Sequence, residues 1–139
     1  MQPEVLRKYE QPVPRYTSYP TAPHFTPEVG NQTYRRWLAS LDPSAPTSLY
    51  IHIPFCDRLC WYCGCNTKAT ERYEPVSSYL EVLHREMAEV ARTAPARLTV
   101  SHVHWGGGSP SMLVPQDMRA LMARTRALFG IATDGRWVL

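Results

Sequence analysis

Four cysteines, Cys56, Cys60, Cys63 and Cys65, stand in one short stretch, and they are all the cysteines the chain has. The first three carry the spacing CxxxCxxC. Soft thiolates at that spacing suit an iron–sulfur cluster. Three of them can hold three irons of a four-iron cluster and leave the fourth iron open to an amine and a carboxylate. A tetrahedral zinc site using all four sulfurs is the alternative. Such sites pair well-separated knuckles, and the single residue between Cys63 and Cys65 is a poor zinc spacing. A disulfide is the weakest reading if the compartment is reducing.

A second feature is the run Gly106-Gly107-Gly108, followed by Ser109 and Pro110. Three glycines let backbone approach a ligand closely and present bare N–H and C=O groups. Alone such a run can be a tight turn. Its weight comes from lying at the same end of a sheet as the cysteines. Tyr50 and His52 precede the first cysteine on one face of an expected strand. His52 is placed to donate a hydrogen bond or a proton near the cysteines, and an interior hydrogen-bonded histidine is an equal reading. His102 and His104 line one face of another strand. His24 and His84 read as exposed, and Arg119, Arg124 and Arg126 as a solvated helix face.

The elements that must position these residues follow from periodicity. Residues 1 to about 30 show no helical or strand pattern and read as an irregular arm rich in Pro, Tyr and Thr. Residues 32–41 predict a short helix through Tyr34, Trp37, Leu38 and Leu41. Ser48 to Ile53 alternates as a strand, with Leu49, Ile51 and Ile53 on one face, and Pro54 ends it. The cysteines therefore hang from the C-terminal end of the first strand, where α/β folds bind ligands. Pro75 to Ala91 predicts a helix with the stripe Val76, Tyr79, Leu80, Leu83, Met87 and Val90, and Pro75 suits its first turn. Leu98 to Trp105 predicts a strand closed by the glycines. Pro115 to Phe129 predicts a helix with Met118, Leu121, Met122 and Leu128 on one face, stopped at Gly130. Arg136 to Leu139 reads as the start of a third strand. The order β-α-β-α-β implies an α/β fold with a parallel sheet and right-handed crossovers. A parallel sheet that ends in an apolar strand suggests that a C-terminal part is missing.

Bulk numbers exclude more than they assign. The 139 residues are 44% hydrophobic and 19% charged, within the range of one globular domain. The charge of +3, from 15 basic and 12 acidic residues, is too small to argue for nucleic acid. No signal peptide and no membrane-spanning run is visible, so the expected location is the cytoplasm, with no membrane partner.

The segment Leu49-Tyr50-Ile51-His52-Ile53-Pro54-Phe55-Cys56, with Tyr62 directly before the third cysteine, resembles the radical S-adenosylmethionine (SAM) superfamily. The extension Cys63-Gly64-Cys65-Asn66 and the arm from Arg15 to Ala22 are similar to one branch, the oxygen-independent coproporphyrinogen III dehydrogenases (also called oxidases). The haem chaperones of the superfamily usually lack the Gly64-Cys65 pair. The resemblance runs from about Val13 to the last residue. It implies a partial, TIM-like parallel β/α barrel, with only the first half in residues 47–139 and an N-terminal substrate-proximal arm in residues 1–46. It implies that Cys56, Cys60 and Cys63 ligate a 4Fe-4S cluster and that Tyr50 and Gly107 contact the iron-bound SAM. Gly108 and Ser109 would meet a second SAM, with Ser109 in place of the family's usual Thr, and Tyr62 would flank the cofactors. Cys65 would lie near the reacting centre without being a ligand. The implied reaction is oxidative decarboxylation of two propionates of coproporphyrinogen III to vinyl groups, giving protoporphyrinogen IX in haem synthesis. Tyr16 and Tyr19 of the arm are candidate substrate contacts. The implied partners are that substrate and a low-potential electron donor, for a monomer. A haem carrier, or a non-catalytic zinc or iron–sulfur module, are the other readings. As a fragment the chain is expected to be inactive alone.

Overall fold

The structure is a computed structural model that describes residues 3–9 and 24–139. The expectations for Tyr16 and Tyr19 fall outside the described residues. The first described element corrects the irregular arm: helix α1 spans Pro3–Tyr9. Its seven residues are too few to show a period. The signals are at its ends: Pro3 suits the first position, where no N–H is needed, and Glu4 in the first turn with Arg7 and Lys8 in the last favours the helix dipole.

Helix α2 (Asn31–Ala39) leads to strand β1 (Thr47–Ile53). Two very short strands follow, β2 (Phe55–Cys56) and β3 (Lys68–Ala69), and then helix α3 (Glu74–Thr93). Strand β4 (Thr99–Gly107), a 3₁₀ turn at Pro110–Met112, helix α4 (Pro115–Leu128) and strand β5 (Gly130–Val138) complete the order. The main sheet is parallel throughout, in the order β1-β4-β5. This is the expected α/β arrangement, with β2 and β3 as an addition that the sequence pattern did not show.

One face of the sheet is buried. Ile51 and Ile53 of β1 and Val100, Val103 and Trp105 of β4 join Val76, Leu80, Leu83 and Met87 of α3 and Leu121 of α4 in a single core. Leu121 and Val76 are fully enclosed, as the helical stripes require. In β4 the buried positions change parity, from Val100 to Val103 and Trp105, and a bulge at Ser101 is the cause. One extra residue turns the next side chains over. His102 and His104 consequently share the uncovered face with Tyr50 and His52.

Gly130 is not a left-handed helix stop. Among the described residues only Gly107 has positive φ, Phe129 is already extended at the end of α4, and Gly130 opens β5. The third strand therefore starts six residues before Arg136, from Gly130. The reason is that residues 132–135 loop out opposite Ser101, between Ile131 paired to Val100 and Arg136 paired to His102. The α4–β5 junction is held by Arg97, which donates to the carbonyls of Arg126 and Phe129 at 2.8 and 3.1 Å. Arg126 is not merely solvated, since its guanidinium lies 5.1 Å over the Trp137 ring. His84, expected to be exposed, is half-buried on α3 with Nδ1 enclosed and without a partner. No helix among the described residues is long and apolar enough to cross a membrane.

Candidate active site

The sheet's C-terminal end is where the chain between Ile53 and Cys56 is gripped from both sides. Pro54 has no N–H to give, so this segment is held mostly through its carbonyls. The Ile53 and Phe55 carbonyls accept from Gly108 N and Ser109 N at 2.8 and 2.7 Å. The alternate carbonyls, of Pro54 and Cys56, accept from Lys68 N and Thr70 N at 2.8 and 3.0 Å. Period-two alternation sends successive carbonyls to opposite neighbours. The glycine loop thus flanks one side of the Cys56 stem and β3 flanks the other. β2 pairs with β3 in parallel, Phe55 with Lys68 and Cys56 with Ala69, which closes residues 57–67 into a loop carrying the other three cysteines.

The glycines are needed for different reasons. Gly107 has φ +108, a conformation L side chains rarely adopt. A Cβ on Gly108 would lie 2.2 Å from the Phe55 carbonyl oxygen and 2.9 Å from Cys56 Sγ. Gly106 sits under the Tyr50 ring, where a Cβ would come within 2.9 Å of the phenol.

On the open face, the Tyr50 hydroxyl lies 3.1 Å from His52 Nδ1, and His52 Nε2 lies 2.9 Å from the Asn66 carbonyl oxygen. Tyr50 is 54% exposed and meets the His104 ring edge-on, with centroids 5.5 Å apart. From beneath, the Tyr79 hydroxyl of α3 donates to the His52 carbonyl at 2.5 Å, and burial pushes the Tyr79 phenol above its usual value. The N-termini of α3 and α4 are joined at this end. The Tyr73 hydroxyl donates to Asp117 at 2.6 Å and accepts from Val114 N at 3.2 Å.

Cys56 is half-buried, and Cys60, Cys63 and Cys65 are exposed. Cys63 N donates to the Cys60 carbonyl at 3.0 Å. The Cys63 thiol is held below its usual range by the Cys65 backbone and then by Thr67, whose hydroxyl is 3.6 Å from Sγ. A thiol biased toward thiolate is the form that binds metal. Leu59, Trp61 and Tyr62 stand exposed on the same loop. The structure brings Tyr50, His52, Cys56, Gly107, Gly108 and Ser109 to one sheet end, whereas Cys60, Tyr62, Cys63 and Cys65 stand out on the loop. No three His, Cys, Asp or Glu side chains among the described residues are gathered as a metal-holding group. The donor set itself, three thiols on one short loop with only Cys56 rooted against the glycine backbone, suits a thiolate-held cluster in its chemistry. Asn66, Lys68, Thr70 and Tyr79 were not found from the sequence. The first three act mainly through backbone groups, and Tyr79 reads as an apolar stripe member whose polar tip has no sequence signal.

Comparison with known proteins gives consistent matches. The sequence model described as Radical SAM superfamily matches residues 50–138. An oxygen-independent coproporphyrinogen III oxidase of Bradyrhizobium diazoefficiens is 48% identical over 120 residues, 86% of this chain and 27% of that protein. One of the same description from Mannheimia haemolytica is 42% identical over 94% of this chain and 88% of its own length. A solved structure of coproporphyrinogen III oxidase from Escherichia coli, described there as a radical SAM enzyme, superposes with a TM-score of 0.81 at 37% identity. That match covers 97% of this chain and 30% of the solved one. The chain spans a little over a quarter of the length of most of these relatives, 26–28% for the first few.

Proposed function

This chain belongs to the radical SAM superfamily, and from that premise we propose that it is the cluster-bearing section of an oxygen-independent coproporphyrinogen III oxidase. Residues 47–139 supply the first part of a parallel β/α barrel, preceded by an arm in residues 1–46. The whole enzyme converts two propionates of coproporphyrinogen III to vinyl groups with loss of carbon dioxide, yielding protoporphyrinogen IX. The observation that carries this reading is the Cys56 stem clamped directly against the glycine loop at the C-terminal end of a parallel sheet. The identity of 37–48% to oxidases of that description supports the choice of substrate.

In this reading Cys56, Cys60 and Cys63 hold three irons of a 4Fe-4S cluster. Tyr50 and Gly107 would contact the iron-bound SAM. Gly108 and Ser109 would line the place of a second SAM, Tyr62 would flank the cofactors, and Cys65 would approach the reacting centre without binding iron. The cluster and SAM together supply the one-electron chemistry that removes hydrogen from a propionate. The chain's own work is positional. The alternating carbonyl grip fixes where the first ligand leaves the sheet, and the bare glycine backbone lets a ligand approach closely. A low-potential electron donor and a cytoplasmic setting belong to the same proposal, because thiolate-held clusters need a reducing compartment.

Anaerobic reconstitution tests it. About four irons and four sulfides per chain, and a change in the reduced cluster's paramagnetic spectrum when SAM is added, are expected. Zinc without sulfide would overturn the reading in favour of a structural metal module. Binding of haem with a shifted Soret band, in preference to coproporphyrinogen III, would favour a carrier.

A further inference from the structure

His52 is engaged at both ring nitrogens. Nε2 faces the Asn66 carbonyl oxygen at 2.9 Å, and Nδ1 faces the Tyr50 hydroxyl at 3.1 Å. A carbonyl oxygen has no proton to give, so Nε2 carries the hydrogen and donates it. A neutral imidazole then presents a bare lone pair at Nδ1, and the Tyr50 hydroxyl donates to it. That uses the only phenolic proton. The Tyr50 oxygen keeps lone pairs alone, and toward any further group it can accept but not give.

The glycine run lies close against both rings. A Cβ at Gly107 would come within 2.8 Å of His52 Cε1, and one at Gly106 within 2.9 Å of the Tyr50 hydroxyl. His104 meets the Tyr50 ring edge-on. The backbone of His52 is itself tied to α3 through the Tyr79 hydroxyl.

We infer that His52 is a positioning residue whose side chain has two jobs. It fastens the far end of the cysteine loop, at Asn66, to strand β1. It also fixes the Tyr50 hydroxyl as a hydrogen-bond acceptor on the open face of the sheet. The group received there is an N–H or O–H donor, such as the amine or a ribose hydroxyl of the cofactor, and not its carboxylate. The loop tether stands on the geometry alone, whereas the ligand chemistry rests on the reading of Tyr50 as a cofactor contact.

Three measurements on the full chain test this. Nitrogen-15 NMR of histidine-labelled, cofactor-free protein is expected to show protonated Nε2 and bare Nδ1 at His52. A proton on Nδ1 overturns the inference. Two substitutions then separate the jobs. In His52→Gln the amide reaches the place of Nε2 and still donates to Asn66. In His52→Asn the amide oxygen takes the place of Nδ1 and still accepts from Tyr50. Amide hydrogen exchange across residues 66–68 should quicken about 2- to 10-fold in H52N and stay near wild type in H52Q. Equal rates or the reverse order overturn the tether. In the iron-loaded chain, H52Q and Y50F should each weaken SAM binding by about 2- to 10-fold, and the double variant should be no worse than the weaker single one. Additive losses overturn the Tyr50 half. A wild-type chain that takes up no SAM removes that half together with the functional reading, and the NMR and exchange results still decide the tether.

Discussion

Alanine at position 108 would force apart two backbones that the fold holds in direct contact. Its methyl carbon would stand 2.2 Å from the Phe55 carbonyl oxygen, 2.7 Å from the carbonyl carbon and 2.9 Å from Cys56 Sγ. Ordinary contact begins near 3.4 Å, so the strands must separate by 3.4 − 2.2, about 1.2 Å. Two hydrogen bonds cross that gap, Gly108 N to Ile53 O at 2.8 Å and Ser109 N to Phe55 O at 2.7 Å. Losing them costs about 0.5–1.5 kcal/mol each, and forced overpacking adds about 1–3 kcal/mol. The sum, about 2–6 kcal/mol, is a large part of the about 5–15 kcal/mol that keeps an ordinary domain folded. Gly130→Ala is the control. Its Cβ would meet only the Leu98 carbonyl oxygen, at 3.4 Å, and its φ is not positive. There the substitution should shift stability by no more than about 1 kcal/mol, on the stabilising side through the unfolded chain. Urea unfolding followed by fluorescence of the buried Trp105 reads both variants, and anaerobic iron uptake reads the Cys56 stem. G108A should unfold at a clearly lower midpoint and load less iron. A G108A protein with the wild-type midpoint and wild-type iron content would refute the claim that the glycine loop is clamped to the cysteine stem.

Other substitutions probe the same end of the sheet. Tyr73→Phe removes the link to Asp117 and Val114 between α3 and α4 and should destabilise by about 1–2 kcal/mol in urea unfolding. Burial, followed by the Asp117 contact at Tyr73 and by Glu86 at Tyr79, raises both phenols. The unfolded chain then loses these protons first, so stability that is constant below about pH 10 falls as pH rises beyond it. Tyr79→Phe should flatten that alkaline slope in pH-dependent melting curves, and an unchanged slope would count against the assignment. Alkylation of Cys63 by iodoacetamide, followed by mass spectrometry, should begin below the ordinary thiol range, and Thr67→Val should move the onset up. Arg97→Ala should cost about 1–3 kcal/mol and speed amide exchange at the α4–β5 junction, because it uncovers the Arg126 and Phe129 carbonyls.

What the sequence made legible is what depends on side-chain chemistry or on a sustained period. The alternation in β1 correctly places Ile51 and Ile53 in the core and Tyr50 on the opposite face. The stripe in α3 correctly picks Val76, Leu80, Leu83 and Met87. His84 was misjudged because an imidazole reads as polar, although its place on α3 encloses Nδ1. The bulge at Ser101 and the excursion at 132–135 are register events, and a single strand carries no record of its partner's register. β2 and β3 are two residues each, shorter than any window in which period two can be detected. Their effect is nevertheless decisive, because β3 and the glycine loop together set where Cys56 leaves the sheet. The glycine run shows the limit most clearly. From sequence it reads as a place for a ligand to approach closely. In the structure Gly107 yields to His52 and the Ile53 carbonyl, and Gly108 to the Phe55 backbone and Cys56 Sγ. The smallness of these residues is therefore used first by contacts within the chain. Whatever binds at this sheet end meets a backbone already fixed by the cysteine stem, and so reports on both loops at once.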